Sequence, residues 1–295
     1  MNAQNSDDAT LEGFDDLVLG PTGRPVSVFP VPAPLKSHGP ARIISLSNQK
    51  GGVGKTTTAI NLAASLAEYG RKVLAIDFDP QGALSAGLGV PAHDVPTIYE
   101  LMLGTIKDPH EAIIETAYEN LHVIPANIDL SAAEVHLINE VARENILARI
   151  IAKIANEYDV VLIDCQPSLG LLTVNALTAA HGVLIPLECE FFALRGVALL
   201  VETIEKVKDR LNPAIELDGI LPTMYDARTL HSREVLERVV ETFGDNVFET
   251  VIGRTVKFPD ANVAGAPITS FAPTHAAADA YRQLARELIS RGAVA

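Results

Sequence analysis

The segment Lys50-Gly51-Gly52-Val53-Gly54-Lys55-Thr56-Thr57 constrains this chain more than any other stretch of it. Gly51, Gly52 and Gly54 admit positive φ, so successive backbone N–H groups can turn inward and form a concave nest for anionic oxygens. Arg42-Ile43-Ile44-Ser45-Leu46-Ser47-Asn48 reads as a buried strand entering the segment, and Thr58 to Tyr69 as the helix leaving it. The positive end of that helix faces the same oxygens. Strand, glycine loop and helix in this order make a phosphate-binding loop of the form G-x-x-x-x-G-K-[ST]. Two features depart from the usual form: Gln49 stands at the first glycine position, and a second lysine, Lys50, follows it. Lys50, Gly51, Gly52, Val53, Gly54, Lys55, Thr56 and Thr57 are therefore the candidate nucleotide contacts. Lys55 is placed for the β- and γ-phosphates and the Thr56 hydroxyl for Mg²⁺. Lys50 lies outside the cradle, and its long side chain can reach a phosphate held by a facing subunit.

The rest of the chain alternates between strands and helices, which predicts one α/β domain over residues 41–295. Its expected form is a single doubly wound, mostly parallel sheet with helices on both faces, of the P-loop NTPase type. Val73–Phe78, Leu121–Pro125, Val160–Asp164, Val183–Leu187 and Gly219–Tyr225 read as further strands. Several are short continuous apolar runs, as strands covered on both faces should be. Apolar spacing predicts helices over Arg143–Asn156, Leu171–Ala180, Ala193–Arg210, Leu230–Phe243 and about Ala276–Ser290, with short helices over Thr97–Leu103 and Pro109–Ala117. Residues 1–40 differ in kind. Asp7, Asp8, Glu12, Asp15 and Asp16 are followed by six prolines, which predicts an extended or disordered segment. It reads either as a solvated tail or as a docking segment.

Lys50, Asp79 and Asp164 all fall at or just past the carboxyl ends of strands, where such sheets bind ligands. A carboxylate at the end of an apolar strand, as at Asp164, is costly unless it serves a cation, and Mg²⁺ held through water is the expected one. Asp77 points the same way along its strand and can support the cation or the following turn. Asn61 can bond that turn or serve packing. The two cysteines offer no disulfide framework and suit a reducing cytoplasm. Residues 1–8 show neither the basic nor the apolar region of a secretory signal, and the longest apolar runs are too short to span a bilayer. A net charge of −14 opposes binding to phosphate backbones on average, so any nucleic-acid contact must come from a local basic patch and be salt-sensitive.

The Lys50–Thr57 segment resembles the deviant Walker loop of the ParA/MinD ATPases. Val73-Leu74-Ala75-Ile76-Asp77-Phe78-Asp79-Pro80-Gln81-Gly82 resembles their second strand and first switch, Asp159–Asp164 their Walker B strand, and Leu221–Asp226 the strand bordering the base. The blocks span roughly residues 41 to 290, and Asp79-Pro80-Gln81-Gly82 is closest to the ParA (Soj-like) chromosome and plasmid partition branch. Ala83 replaces a common Asn, and Cys165-Gln166-Pro167-Ser168 departs from the common form after Walker B. The resemblance implies a Mg²⁺-dependent ATPase with slow basal turnover, ATP and Mg²⁺ as cofactors, and a sandwich homodimer. In that dimer Lys50 acts like an arginine finger, a device worth ~10³–10⁵ in rate in GTPases. It implies that Asp79 orients the attacking water, that Met224 and the loop around Pro259 and Asp260 border adenine, and that Arg228, Arg254 and Lys257 face DNA. It implies non-specific DNA, a ParB-like activator, no stable membrane insertion and a cytoplasmic, nucleoid-associated location. Arg233 and Arg238 are mixed with acidic residues and read as a solvated face. Other readings are a MinD-like or orphan ATPase that positions the division site or other cargo, and an iron–sulfur reductase, which needs a presented cysteine pair.

Overall fold

The computed structural model describes residues 18–190 and 193–295. Its strands are β1 (Arg42–Leu46), β2 (Val73–Phe78), β3 (Ile114–Glu115), β4 (Leu121–Ile124), β5 (Val160–Cys165), β6 (Gly182–Glu188) and β7 (Glu216–Thr223). The helices are α1 (Lys55–Glu68), α2 (Ala83–Gly87), α3 (Ile98–Leu103), α4 (Ala133–His136), α5 (Ile146–Ile151), α6 (Leu171–Ala179), α7 (Ala193–Arg210), α8 (Leu230–Phe243), α9 (Lys257–Val263), α10 (Ile268–Phe271) and α11 (Ala276–Ser290). The strands form one seven-stranded sheet in the order β3-β4-β2-β5-β1-β6-β7, and only the β3–β4 pair is antiparallel. This is the doubly wound, mostly parallel architecture that the sequence predicts.

Alternation along the central strands divides the core in two. Ile44 and Leu46 of β1, Ala75 of β2 and Leu162 of β5 pack with α1 and α11. Ile43, Leu74, Ile76, Val161 and Ile163 point the other way, toward α3, α5 and α6. A third cluster joins β6 and β7 to α7 and α8. β1 has β5 on one side and β6 on the other: the chain passes from β1 to β2 in one half of the sheet and later crosses from β5 past β1 to β6 in the other. That reversal opens a crevice at the carboxyl ends of β2, β5, β1 and β6.

Two expected helices come out differently. Pro109–Ala112 is a short 3₁₀ turn, and the chain then enters β3, where Ile114 pairs with Val123. The Arg143–Asn156 stretch keeps its buried stripe of Leu147, Ile150, Ile151 and Ile154, but α5 covers only Ile146–Ile151. Tertiary hydrogen bonds take its ends: Asn175 donates to the Arg143 carbonyl at 2.9 Å, and the Ala155 carbonyl accepts from Ala41 N–H at 2.8 Å.

Residues 18–40 run along the domain with a lone bridge between Leu19 and Pro25. Arg24 donates to the Val247 carbonyl at 2.9 Å, Ser27 to Glu249 at 3.0 Å and Arg71 to the Ala33 carbonyl at 2.8 Å. Asp159 accepts from Gly39 N–H at 2.9 Å and meets His38 Nδ1 at 2.7 Å. The acidic stretch expected over residues 7–16 lies outside the described residues.

The C-terminal helix holds the nucleotide-loop helix in place. Tyr281, Leu284 and Leu288 of α11 are buried against α1, and the Tyr281 hydroxyl meets Thr58 Oγ1 at 3.2 Å. Glu287 is fully buried and anchors α11 to the chain after α8: its carboxylate accepts from Glu249 N–H at 2.8 Å, Thr250 N–H at 2.9 Å and Arg291 at 2.6 Å. Glu287→Ala leaves two backbone donors and a guanidinium without their acceptor. It is expected to destabilise the domain by about 2–4 kcal/mol in chemical denaturation. A change below about 0.5 kcal/mol would contradict this role for the carboxylate.

Candidate functional site

The glycine loop sits between β1 and α1 as the sequence requires. Gly52 and Gly54 have φ of 76° and 86°, which side-chain-bearing residues rarely adopt. Neighbouring strands pin the loop. Asn48 donates to the Pro186 carbonyl at 2.7 Å and accepts from Lys50 N–H at 3.0 Å. Thr223, at the end of β7, donates to the Val53 carbonyl at 2.9 Å. Lys55 is buried, with its ammonium 3.3 Å from the Lys50 carbonyl. Burial lowers its pKa, opposed chiefly by the charge of Asp164.

Parallel register gathers the carboxylates. Asp77 on β2 stands opposite Asp164 on β5, which stands opposite Leu46 on β1. Asp164 is 1% exposed, and among the described residues neither of its oxygens has a hydrogen-bond partner. Burial, reinforced by the charge of Asp77, pushes its carboxyl up to about 8, while the nearby Thr56 hydroxyl and Lys55 ammonium pull the other way. Two unpartnered carboxylate oxygens facing a phosphate nest are what a hard cation would satisfy. The donors fit Mg²⁺ held by the Thr56 hydroxyl, phosphate oxygens and water backed by Asp164. Among the described residues no three His, Cys, Asp or Glu side chains gather to hold a metal unaided.

Asp77 is engaged by the turn that follows β2. Its Oδ2 accepts from Ser85 Oγ at 2.7 Å and Ser85 N–H at 2.9 Å, and its Oδ1 from Asp79 N–H at 3.4 Å. Burial still raises it to about 6. The carboxylate therefore ties the start of α2 to the end of β2 and shapes the turn that carries Asp79. Within that turn Asp79 Oδ1 accepts from Gln81 N–H at 3.0 Å. Gly82 closes it with φ 63°, and a Cβ there would lie 2.8 Å from the Ala126 carbonyl oxygen. Asn61 bonds not the turn but Ile268 N–H, at 2.6 Å, and so fixes the entry to α10.

A cavity of about 330 Å³ opens beside Gly54 and Thr57, within the size range of small-ligand pockets. Met224, Phe258, Pro259, Asn262, Tyr281 and Arg254 line it, whereas Asp260 does not, and the Pro259–Asp260 stretch expected as a loop lies in α9. A positive φ of 52° at Met224 marks the turn leaving β7.

The expected DNA-facing cations are each near a carboxylate. Arg228 lies 2.8 Å from Asp226, Lys257 3.7 Å from Asp260, and Arg254 3.4 Å from Glu188. Lys50 is paired too, with Glu188 at 2.9 Å and Glu190 at 2.6 Å. Cys165 and Cys189 are buried, and burial pushes their thiols up to about 11 and about 12, so neither is presented as an iron ligand. Among the described residues no helix is long and apolar enough to cross a membrane.

A carboxyl whose folded pKa exceeds its unfolded value destabilises the fold as it ionises. In nucleotide- and magnesium-free protein, the cost from Asp164 is absent below about pH 4. It grows as the pH rises toward about 8. Asp164→Asn is therefore expected to be more stable than the wild type at pH 8, by on the order of a few kcal/mol in chemical denaturation, with a correspondingly higher melting temperature, and to lose that advantage near pH 4. A melting difference independent of pH would contradict the assignment.

A protein-family model described as an AAA domain matches residues 41–217. An uncharacterized protein of Mycobacterium tuberculosis is 59% identical over 92% of this chain and 86% of its own. The chromosome-partitioning ATPase Soj of Treponema pallidum is 50% identical over 83% of this chain and 95% of its own. The crystal structure of cobyrinic acid a,c-diamide synthase from Mycobacterium smegmatis with bound ADP and magnesium superposes with a TM-score of 0.76 at 42% identity, covering 85% of this chain and 95% of that one.

Proposed function

The chain belongs to the ParA/MinD family of ATPases, and on that premise we propose that it is a partition ATPase whose ATP-bound sandwich dimer holds non-specific DNA and lets go on hydrolysis. The observation that carries the ATPase part of this reading is the pair of buried Asp164 oxygens, without a hydrogen-bond partner among the described residues, beside the glycine loop. A fold shared by proteins named as a synthase and as a partition ATPase does not choose between them; the 50% identity to a relative named a chromosome-partitioning ATPase supports the second reading.

ATP and Mg²⁺ are the cofactors of this reading. Loop N–H groups from Gly51 to Thr57 and the Lys55 ammonium hold the phosphates, and the base enters the cavity between Met224 and Pro259. Mg²⁺, when bound, neutralises charge that develops on the phosphate oxygens. Asp79 orients the attacking water, the bond from the γ-phosphorus to the bridging oxygen breaks, and ADP and phosphate leave. Lys50 of the second copy adds its charge to the same phosphates, so turnover waits on dimerisation and is slow without an activator. A ParB-like protein is the proposed activator. The DNA-bound dimer places the protein in the cytoplasm on the nucleoid.

DNA affinity in so acidic a chain must come from a patch that two copies build together. Arg228, 89% exposed at its side chain, is the better placed of the candidate contacts, whereas Arg254 faces the nucleotide cavity. A membrane-cycling reading draws no support from α11, whose apolar face is spent on α1.

Lys50→Ala is expected to bind ATP and to lose ATP-dependent dimerisation in light scattering; normal dimerisation would refute the trans role. Asp79→Ala, which holds the ATP state, is expected to bind non-specific duplex DNA only with ATP, and more weakly as salt rises. Added Arg228→Glu should weaken that binding several-fold. If no nucleotide state binds DNA, the partition role falls while the ATPase assignment stands.

A further inference from the structure

Lys50 arrives in the crevice already engaged. Its ammonium donates to Glu188 Oε2 at 2.9 Å and to Glu190 Oε2 at 2.6 Å, both on its own chain at the end of β6. The other Glu188 oxygen faces Arg254 at 3.4 Å, and Arg254 lines the nucleotide cavity. A chain of alternating charges thus runs from Glu190 through Lys50 and Glu188 to the cavity wall.

We propose that Glu188 and Glu190 are positioning residues that clamp Lys50 on its own chain and so set the protein concentration at which two chains close over ATP. The inference rests on the reading that Lys50 acts across the dimer.

The argument is one of competition. An ammonium is a compact point charge at the end of a flexible four-carbon stem. It cannot lie between two carboxylates of its own chain and also against phosphates held by a second chain. Closure must break both contacts. The clamp is strong enough to matter and weak enough to yield: the Lys50 and Glu190 side chains are 42% and 52% exposed, so water screens the pair. The several charges of a nucleotide's phosphates outbid two screened carboxylates, but only at a cost, and that cost raises the threshold for dimerisation. The two glutamates differ in what they lose. Glu188 is only 12% exposed, and it keeps Arg254 when Lys50 departs. Glu190 is released to water. Glu188 therefore links the wall of the nucleotide cavity to Lys50, and Glu190 serves the clamp alone.

The test is ATP-dependent dimerisation of the full chain by analytical ultracentrifugation, in an Asp79→Ala background, across a range of protein concentrations. Glu190→Gln removes one carboxylate charge from an exposed position, where misfolding is not a concern. It is expected to lower the concentration at half-dimerisation roughly two- to fivefold, the size a screened ion pair allows. Glu188→Gln combined with Glu190→Gln should lower it at least as far, and Glu190→Asp, which keeps the charge, should return it toward the starting value. A merely structural role would weaken dimerisation rather than promote it. An unchanged or raised midpoint in Glu190→Gln, with Lys50→Ala still unable to dimerise, overturns the clamp and leaves the trans role intact. If Lys50→Ala dimerises normally, it is the trans role that has failed, and the clamp falls with it.

Discussion

The cost of holding Asp164 in a dry site organises much of this structure. The carboxylate ends a strand covered on both faces, has no hydrogen-bond partner among the described residues, and has Asp77 beside it in register. Burial raises both carboxyls, the charge of Asp77 raises Asp164 further, and Lys55, itself buried, only partly offsets the shift at Asp164. A site of this kind is unfavourable until a cation and phosphates occupy it. The doubly wound sheet supplies the rigidity to bear that cost, since β2, β5 and β1 are locked by continuous parallel ladders under two hydrophobic layers.

The same crowding explains how the turn after β2 is governed. Asp77 and Asp164 are neighbours, yet they serve different ends. Asp77 spends its oxygens on Ser85 and the Asp79 amide, so the Asp79 turn is bound to the floor of the site. The cations respond to the same surplus of negative charge: Lys50 and Arg254 meet at Glu188 rather than standing free.

Legibility in the sequence followed how local each signal was. α7 and α8 have the bounds the apolar spacing predicts, because an amphipathic face is written in the order of residues. The glycine loop was legible for a similar reason: its conformation depends on residues without Cβ atoms. β3 was not, because a two-residue strand exists only through its partner, β4. α5 proved shorter than its apolar stripe, because hydrogen bonds from Asn175 and Ala41 claim carbonyls at its ends. Arg254 reads from the sequence as a DNA contact; the segment after α8 bridges to the turn beyond β7 through Gly253 and Tyr225, and this long-range pairing puts Arg254 in the lining of the cavity beside the glycine loop.

The sequence by itself determined the sheet class, the phosphate loop and the family, since each depends on short runs of residue type and spacing. Tertiary structure alone decided which polar groups meet. Whether Asn61 bonds a switch or α10, and whether Lys50 is free or held by Glu188 and Glu190, depend on parts of the chain far apart in sequence. Charges and hydrogen bonds act over a few ångströms, and only the packed sheet brings those partners within reach.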